Sequence, residues 1–325
     1  MTCDSSELTE CPFTGRFAPS PTGRMHAGNI YAALVTWLLC RMSGGRVVLR
    51  IEDLDRERSR QEYVDCALRD FETLGLTWDE GPFYQRDRDD AYAEAYERLC
   101  ATGAVYPCFC TRADLKAASA PHAQDKWVYP GTCRGLSAAQ VQAKTGELKA
   151  LGRPGPSWRL GVLAADSDFV QLEDLLQGPY EQHLETDCGD FVIRRADGAF
   201  AYHLAVVVDD AAQGINLVSR GIDLLPSSPQ QRYLQQLLGL PEVQYVHFPL
   251  LVAPDGRRLA KRNKDAAMDQ LFSAYGSAAG VLGHIAFVTG LVDIDQPLTC
   301  EDLLQVMNFA RLKQSCEGKI SIPWR

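Results

Sequence analysis

The sequence predicts an α/β protein built on a parallel sheet. Three observations carry this. A short apolar run ending in Arg16-Phe17 leads through a Pro/Gly-rich turn, Ala18 to Gly28, into a nearly continuous apolar run, Ile30 to Arg41. The β-branched stretch Val47 to Ile51 follows after Gly44-Gly45. Strand, turn, helix and strand in that order make a βαβ unit, whose ligands bind at the C-terminal ends of the strands. The acidic residues Glu52-Asp53 stand at such an end. At 325 residues and 46% hydrophobic content, the chain can fill one large core or two smaller ones.

Composition excludes several classes. The net charge of −9 and the pI near 5.2 argue against a general nucleic-acid coat. Met1 to Cys11 is polar and acidic, unlike a signal peptide. No run approaches the roughly 18 apolar residues of a membrane helix. Eleven cysteines, an odd number, fit reduced core thiols with a subset available to metal. A cytoplasmic protein without a membrane partner is expected, and a monomer. No internal repeat is evident.

The elements follow in order. Ile30 to Arg41 is apolar on most sides, hence a buried helix, and Gly44-Gly45 ends it. Ser59 and Glu62 have the spacing of a capping box. They open an amphipathic helix through Tyr63, Leu68, Phe71 and Leu74, closed by Gly75. A charged helix spans about Asp90 to Thr102. Ser137 to Leu151 is helical, and Arg153-Pro154-Gly155-Pro156 is a linker. Phe191 to Arg195 and Phe200 to Leu204, about a turn at Asp197-Gly198, predict a hairpin. Its second arm continues as the apolar run Ala205 to Val208 and ends in Asp209-Asp210. Asn216 to Arg220 is a strand, Gln230 to Leu238 a helix, and Val246 to Val252 a last strand. Beyond Asp269 the pattern is helical, with apolar runs at Leu282 to Val288 and Leu303 to Phe309.

Two loops suit phosphate. The turn before Ile30 presents helix N-terminal N–H groups and the positive dipole end. Gly23 and Gly28 allow close approach, and His26 offers a hydrogen bond. A plain turn before a core helix has the same spacing. The loop Asp255 to Lys264 carries five cations in eight residues, suited to a polyphosphate or to solvent alone.

From Leu99 to Leu160 the balance turns basic, with eight Lys/Arg against three Asp/Glu. Within it lie Cys108-Phe109-Cys110 and Tyr129-Pro130-Gly131-Thr132-Cys133. Three thiols are an incomplete zinc pattern, and a tetrahedron needs a fourth donor. Tyr129 and His122 are the candidates. Three buried reduced thiols are the plainer alternative.

Arg16-Phe17-Ala18-Pro19-Ser20-Pro21-Thr22-Gly23 with Met25-His26-Ala27-Gly28-Asn29 resembles the first signature of glutamate-specific class I aminoacyl-tRNA synthetases. The family's His-Ile-Gly-His is here Met25-His26-Ala27-Gly28. Arg258-Leu259-Ala260-Lys261-Arg262 resembles the second signature, Lys-Met-Ser-Lys-Ser, with Arg for the first Lys and with Ala and Arg for the serines. Arg50 to Asp55, Tyr202 to Asp210 and Arg220 to Leu225 match the same subgroup. The resemblance covers about Thr14 to Lys264. Only about sixty residues follow, so the closest likeness is to a truncated branch, the glutamyl-queuosine tRNA(Asp) synthetases.

The resemblance implies a Rossmann-like catalytic domain in two halves, 12–98 and 187–265. It also implies a zinc-containing α+β insert, 99–186, and a C-terminal helical region, 266–325. It places Arg16, Ser20, Glu52, Tyr202 and Arg220 around glutamate. Arginine forks suit carboxylates and Glu52 suits the ammonium. It places His26, Gly28, Asn29 and Lys261 on ATP, with His26 and Lys261 in catalysis, and Mg²⁺ on the phosphates. It implies a single structural Zn²⁺ on Cys108, Cys110, Tyr129 and Cys133. The expected reaction makes glutamyl-adenylate without tRNA, then esterifies the queuosine base in the anticodon stem-loop of tRNA(Asp). Lys126, Arg134, Lys144 and Lys149 would grip RNA phosphates. The alternatives are a short enzyme charging the 3′ end of tRNA, and a binding module without catalysis.

Overall fold

The computed structural model describes residues 11–111, 114, 128–162, 168–257, 259 and 266–324. The chain opens with β1 (Thr14–Phe17), α1 (Ala27–Met42) and β2 (Arg46–Ile51). β1 and β2 pair in parallel, from Thr14↔Arg46 to Phe17↔Leu49, so the βαβ unit is present. Helix α1 lies so close over β1 that a Cβ on Gly15 would sit 2.7 Å from Cys40 Sγ. Then come α2 (Gln61–Leu74), β3 (Glu80–Tyr84) and α3 (Asp89–Ala101), with β3 parallel to β2.

The basic segment supplies β4 (Val105–Cys108), α4 (Ala138–Ala150) and β5 (Ser157–Leu160). Helix α4 has a capping box, Ser137 with Gln140, and buries no residue. The hairpin β6 (Phe169–Asp174) and β7 (Gly178–His183) and the short helix α5 (Leu184–Asp187) follow. After β8 (Phe191–Arg194) come α6 (Tyr202–Ala212), β9 (Leu217–Gly221), α7 (Ser228–Leu238), β10 (Gln244–Phe248) and β11 (Leu250–Val252). The chain closes with α8 (Met268–Tyr275), α9 (Ala278–Thr289), α10 (Cys300–Val306), α11 (Phe309–Cys316) and β12 (Ser321–Pro323).

The strands order as β1-β2-β3, β7-β6-β10-β9, β4-β5-β8 and β11-β12. Asn216 N–H donates to Thr14 C=O at 3.1 Å, which sets β9 beside β1. The parallel strands therefore run β3-β2-β1-β9-β10-β6, and the connections diverge between β1 and β9. Such a switch point opens a crevice at the strand C-termini. The largest core joins α1 residues such as Ile30 and Leu34 to Val281, Ile285 and Leu303 of the C-terminal helices. The hairpin β6–β7, inside the 99–186 stretch, joins β10, while β4 pairs with β5 and β5 with β8. Among the described residues no single helix is long and apolar enough to cross a membrane.

The structure corrects several sequence expectations. Tyr202 to Val208 is helical, not the second arm of a hairpin. Among the described residues the pairing is confined to Ala199 to Ala201, with Phe200 opposite Arg194 and Ala201 N–H donating to Ile193 C=O. Its β-branched run favours a strand locally, but the helix buries Leu204, Val206 and Val207 in a core shared with α3 and α7, and packing overrides propensity. Ser59 forms no capping box. Helix α2 starts after Arg60, whose N–H is held by Pro21 C=O, and Ser59 Oγ is buried without a hydrogen bond. Val246 to Val252 is two strands, because β11 leaves to pair with β12. Leu303 to Phe309 spans the end of α10, a break and the start of α11.

Candidate active site

Strand ends build the site. Arg16 is the penultimate residue of β1, Glu52 follows β2, Arg220 sits near the end of β9, and Tyr202 starts α6. Together with His26, Gly28 and Asn29 of α1 they line one cavity of about 290 Å³. Leu259, the described residue of the second cationic loop nearest Lys261, lines it too. Lys261 lies outside the described residues, as do Lys126 and His122. Ser20 is exposed on the opening loop and is not part of the lining.

His26 is the N-cap of α1. Its Nδ1 accepts from Gly28 N–H at 3.1 Å, and Asn29 Oδ1 accepts from His26 N–H at 3.1 Å. An accepting Nδ1 puts the neutral ring's proton on Nε2. A Cβ at position 28 would stand 3.0 Å from the ring, so glycine makes room for this cap. The helix terminus thus faces the cavity with its dipole's positive end.

Beneath the cavity runs a chain of alternating charge. Glu52 Oε1 lies 3.3 Å from Arg50 Nη2, Arg50 Nη1 lies 2.7 Å from Asp210 Oδ1, and the same Asp210 oxygen lies 3.4 Å from Arg16 Nε. Arg16 Nη1 also donates to Ser219 C=O. Arg50 is fully buried, and its guanidinium also donates to Gln213. Burial lifts the Glu52 carboxyl above its ordinary value, against the pull of Arg50 and Arg16. A bound cation would favour its charged form. Across the cavity Arg220 Nη1 donates to Gln231 at 2.9 Å and reaches Tyr202 Oη at 3.4 Å, while Nη2 donates to Ser228 at 2.8 Å. Two fixed cations and one carboxylate in a small cavity complement an amino acid carrying two carboxylates and an ammonium.

Sequence reasoning missed the residues that hold Arg220. Ser228, Gln231 and His247 sit on elements the pattern located, yet no local motif marks them.

A second cluster lies in the basic segment. The sulfurs of Cys108, Cys110 and Cys133 are all within 4.8 Å of one another. Tyr129 Oη stands 3.4 Å from Cys108 Sγ and 3.8 Å from Cys110 Sγ. Arg159 donates to Cys108 Sγ and stacks 3.8 Å over the Tyr129 ring. Burial pushes the Cys108 thiol up, but hydrogen bonds from Tyr129 and Arg159 outweigh it and hold the group low. Burial drives Cys110 up to about 12. Three sulfurs and one oxygen converging at these distances suit a tetrahedral divalent ion such as zinc, whose charge favours the deprotonated ligands.

Over residues 13–282 the chain matches the family described as tRNA synthetases class I (E and Q), catalytic domain. It is 44% identical over 309 residues to the glutamyl-Q tRNA(Asp) synthetase of Symbiobacterium thermophilum, covering 92% of this chain and 93% of that one. With the protein of the same name from Nitratidesulfovibrio vulgaris it shares 42% over the same fractions. The fold matches a glutamate-tRNA synthetase structure from Elizabethkingia anophelis with a TM-score of 0.77, at 21% identity, over 97% of this chain and 68% of that one. The chain is a ligase of the class I tRNA synthetases for glutamate and glutamine, and it belongs to their glutamyl-Q tRNA(Asp) synthetase branch.

Proposed function

We propose that the protein activates glutamate with ATP in the absence of tRNA and transfers it to the queuosine base in the anticodon loop of tRNA(Asp). The observation that carries this is the gathering of Arg16, Glu52, Tyr202 and Arg220 around one cavity at the N-terminus of α1. Arg16 and Arg220 hold the side-chain carboxylate and Glu52 the ammonium, with Tyr202 alongside. The free α-carboxylate oxygen then attacks the α-phosphorus of ATP. The bond to the β-phosphate breaks, and Mg²⁺-bound pyrophosphate leaves. Positioning and charge account for this step, since no covalent enzyme intermediate is required. His26 Nε2–H and the α1 N–H groups face phosphate. The resemblance of Lys261 to the signature lysine supports its role on the charge that develops during transfer.

A hydroxyl of the queuosine cyclopentenediol then attacks the adenylate carbonyl and expels AMP. Unstacked loop bases are the RNA that proteins read in detail. Lys144 and Lys149 supply cations outside the cavity for its phosphates, whereas the charge of Arg134 is taken up by Asp190. Cys108, Cys110, Tyr129 and Cys133 would hold zinc, which supplies cross-linking of the segment and no chemistry on the substrate.

Pyrophosphate exchange with glutamate and ATP alone tests the first half, and Lys261→Ala should lower its rate more than it weakens glutamate binding. Labelled glutamate offered to tRNA(Asp) with queuosine, tRNA(Asp) without it, and tRNA(Glu) tests the second. Nuclease mapping should place the label in the anticodon fragment of the first alone. Label on tRNA(Glu), or on a 3′-terminal fragment, would overturn the proposal.

A further inference from the structure

Arg220 is gripped on the side away from the cavity by a buried pair that no signature motif contains. Its Nε lies 3.0 Å from His247 Nε2, and His247 Nδ1 lies 2.6 Å from Asp174 Oδ2. Asp174 and His247 are at most 1% exposed. A guanidinium only donates, so His247 Nε2 accepts and the ring proton sits on Nδ1, donated to Asp174. The other Asp174 oxygen, Oδ1, accepts three backbone N–H groups, from Leu176 at 3.0 Å, Gln177 at 2.9 Å and His247 at 3.3 Å. The carboxylate therefore cannot rotate without losing all three. Burial, with the Arg220 charge, holds the imidazole below its ordinary value, which keeps it neutral and able to accept.

We infer that Asp174 and His247 are positioning residues for substrate recognition: Asp174 selects the one His247 tautomer that accepts from Arg220 Nε, and this turns the Nη edge of Arg220 into the cavity. Gln231 and Tyr202 take up Nη1, and Ser228 takes one N–H of Nη2. The remaining Nη2 N–H, with the long contact to Tyr202, is left for a carboxylate of the ligand. The opposite tautomer would set Nε2–H against Nε–H, two donors face to face in a buried place. Such a contact would cost the guanidinium its alignment. Glutamate recognition at β9 is thus fixed from β6, a strand that contributes nothing to the cavity lining among the described residues.

The inference rests on the reading that Arg220 binds glutamate, and Asp174→Asn separates the two. The asparagine is isosteric, but the three N–H groups keep its oxygen at the Oδ1 position. Its NH₂ then faces His247 Nδ1 and forces the wrong tautomer. In pyrophosphate exchange the KM for glutamate should rise roughly ten- to hundredfold, while the KM for ATP stays within about twofold. His247→Gln added to Asp174→Asn should recover most of the glutamate KM, because a Gln carbonyl accepts from Arg220 whatever stands at 174. Imidazole ¹⁵N NMR should show His247 protonated on Nδ1 in the wild type and on Nε2 in the Asp174→Asn protein. Parallel rises in both KM values, no recovery in the double variant, or an Nε2–H wild-type tautomer would each overturn the inference. A wild type with the expected tautomer but no glutamate-dependent exchange would sink the functional reading and leave the hydrogen-bond relay standing.

Discussion

Arg50 shows how one side chain sets the conditions for its neighbours. It is fully buried at the end of β2 and faces Asp209, Asp210 and Glu52. Asp209 is in turn bonded by Gln85, Arg88 and Tyr92. Removing the cation leaves Asp209, Asp210 and Glu52 with only Arg88 and Arg16 to balance three carboxylates, two of them buried. Arg50→Met should therefore cost about 3–5 kcal/mol in urea unfolding. Arg46→Met, which breaks the half-exposed pair with Glu80, should cost less than about 1 kcal/mol. Equal losses would show that the buried network is not what holds the strand ends together. At this scale the residues facing the cavity were legible, because their types match the ligand's charges and stand in quotable motifs. The residues behind them were not. Asp174 and His247 are 73 positions apart, and only the β6–β10 pairing brings them together, a contact that no local pattern encodes.

Among the elements, α1 joins a structural role to the proposed chemical one at a single residue. His26 caps the helix through Nδ1, which puts its ring proton on Nε2, and the residue lines the cavity. The two roles separate by substitution. Asparagine is a strong N-cap, so His26→Asn should keep stability within about 0.5 kcal/mol of wild type, whereas His26→Ala should lose about 1 kcal/mol. Both should lower kcat/KM for ATP in exchange to a similar extent, since neither restores the Nε2 donor. If His26→Asn kept full activity, the ring would be a cap and nothing more. Helix α1 was legible because its apolar run is buried and stops at Gly44-Gly45, and α4 was legible although it buries no residue. Tyr202 to Ala212 was not, because Val206-Val207-Val208 favours a strand and the α3–α7 layer chooses the helix. Hairpin β6–β7 went unassigned although Phe169 to Asp174 alternates exposed and buried residues. That alternation spans six residues, and its mixture of Gln, Glu and Asp hides the period.

Across the whole molecule, the candidate active site and the cysteine cluster occupy separate bodies of side chains. Every described residue that lines the cavity lies before 72 or after 201, and none comes from 99–186. The cysteine cluster is tied instead to the β4-β5-β8 sheet. Arg159 of β5 touches Cys108 and Tyr129, and it donates to Asp190 C=O at 2.6 Å. Asp190 is fully buried and takes a two-pronged ion pair from Arg134, one residue beyond Cys133, together with the Tyr106 hydroxyl. A metal on the cysteines would therefore stiffen a unit in which Asp190 takes up the charge of Arg134 and which carries, further along, Lys144 and Lys149, the cations offered to RNA. Protein purified without added metal should contain one zinc per chain by elemental analysis, and Cys110→Ser should lower that value. A content near zero that Cys110→Ser leaves unchanged would remove the metal altogether. With zinc stripped, glutamate-dependent pyrophosphate exchange should persist within about threefold, because each kcal/mol at the cavity is worth roughly fivefold and none of its contacts runs through the cluster. Transfer of glutamate to tRNA(Asp) should fall far more steeply, and the loss should deepen as salt rises, since the remaining attraction is to phosphate. Equal loss of the two half-reactions would mean that the metal unit supports the catalytic sheet itself.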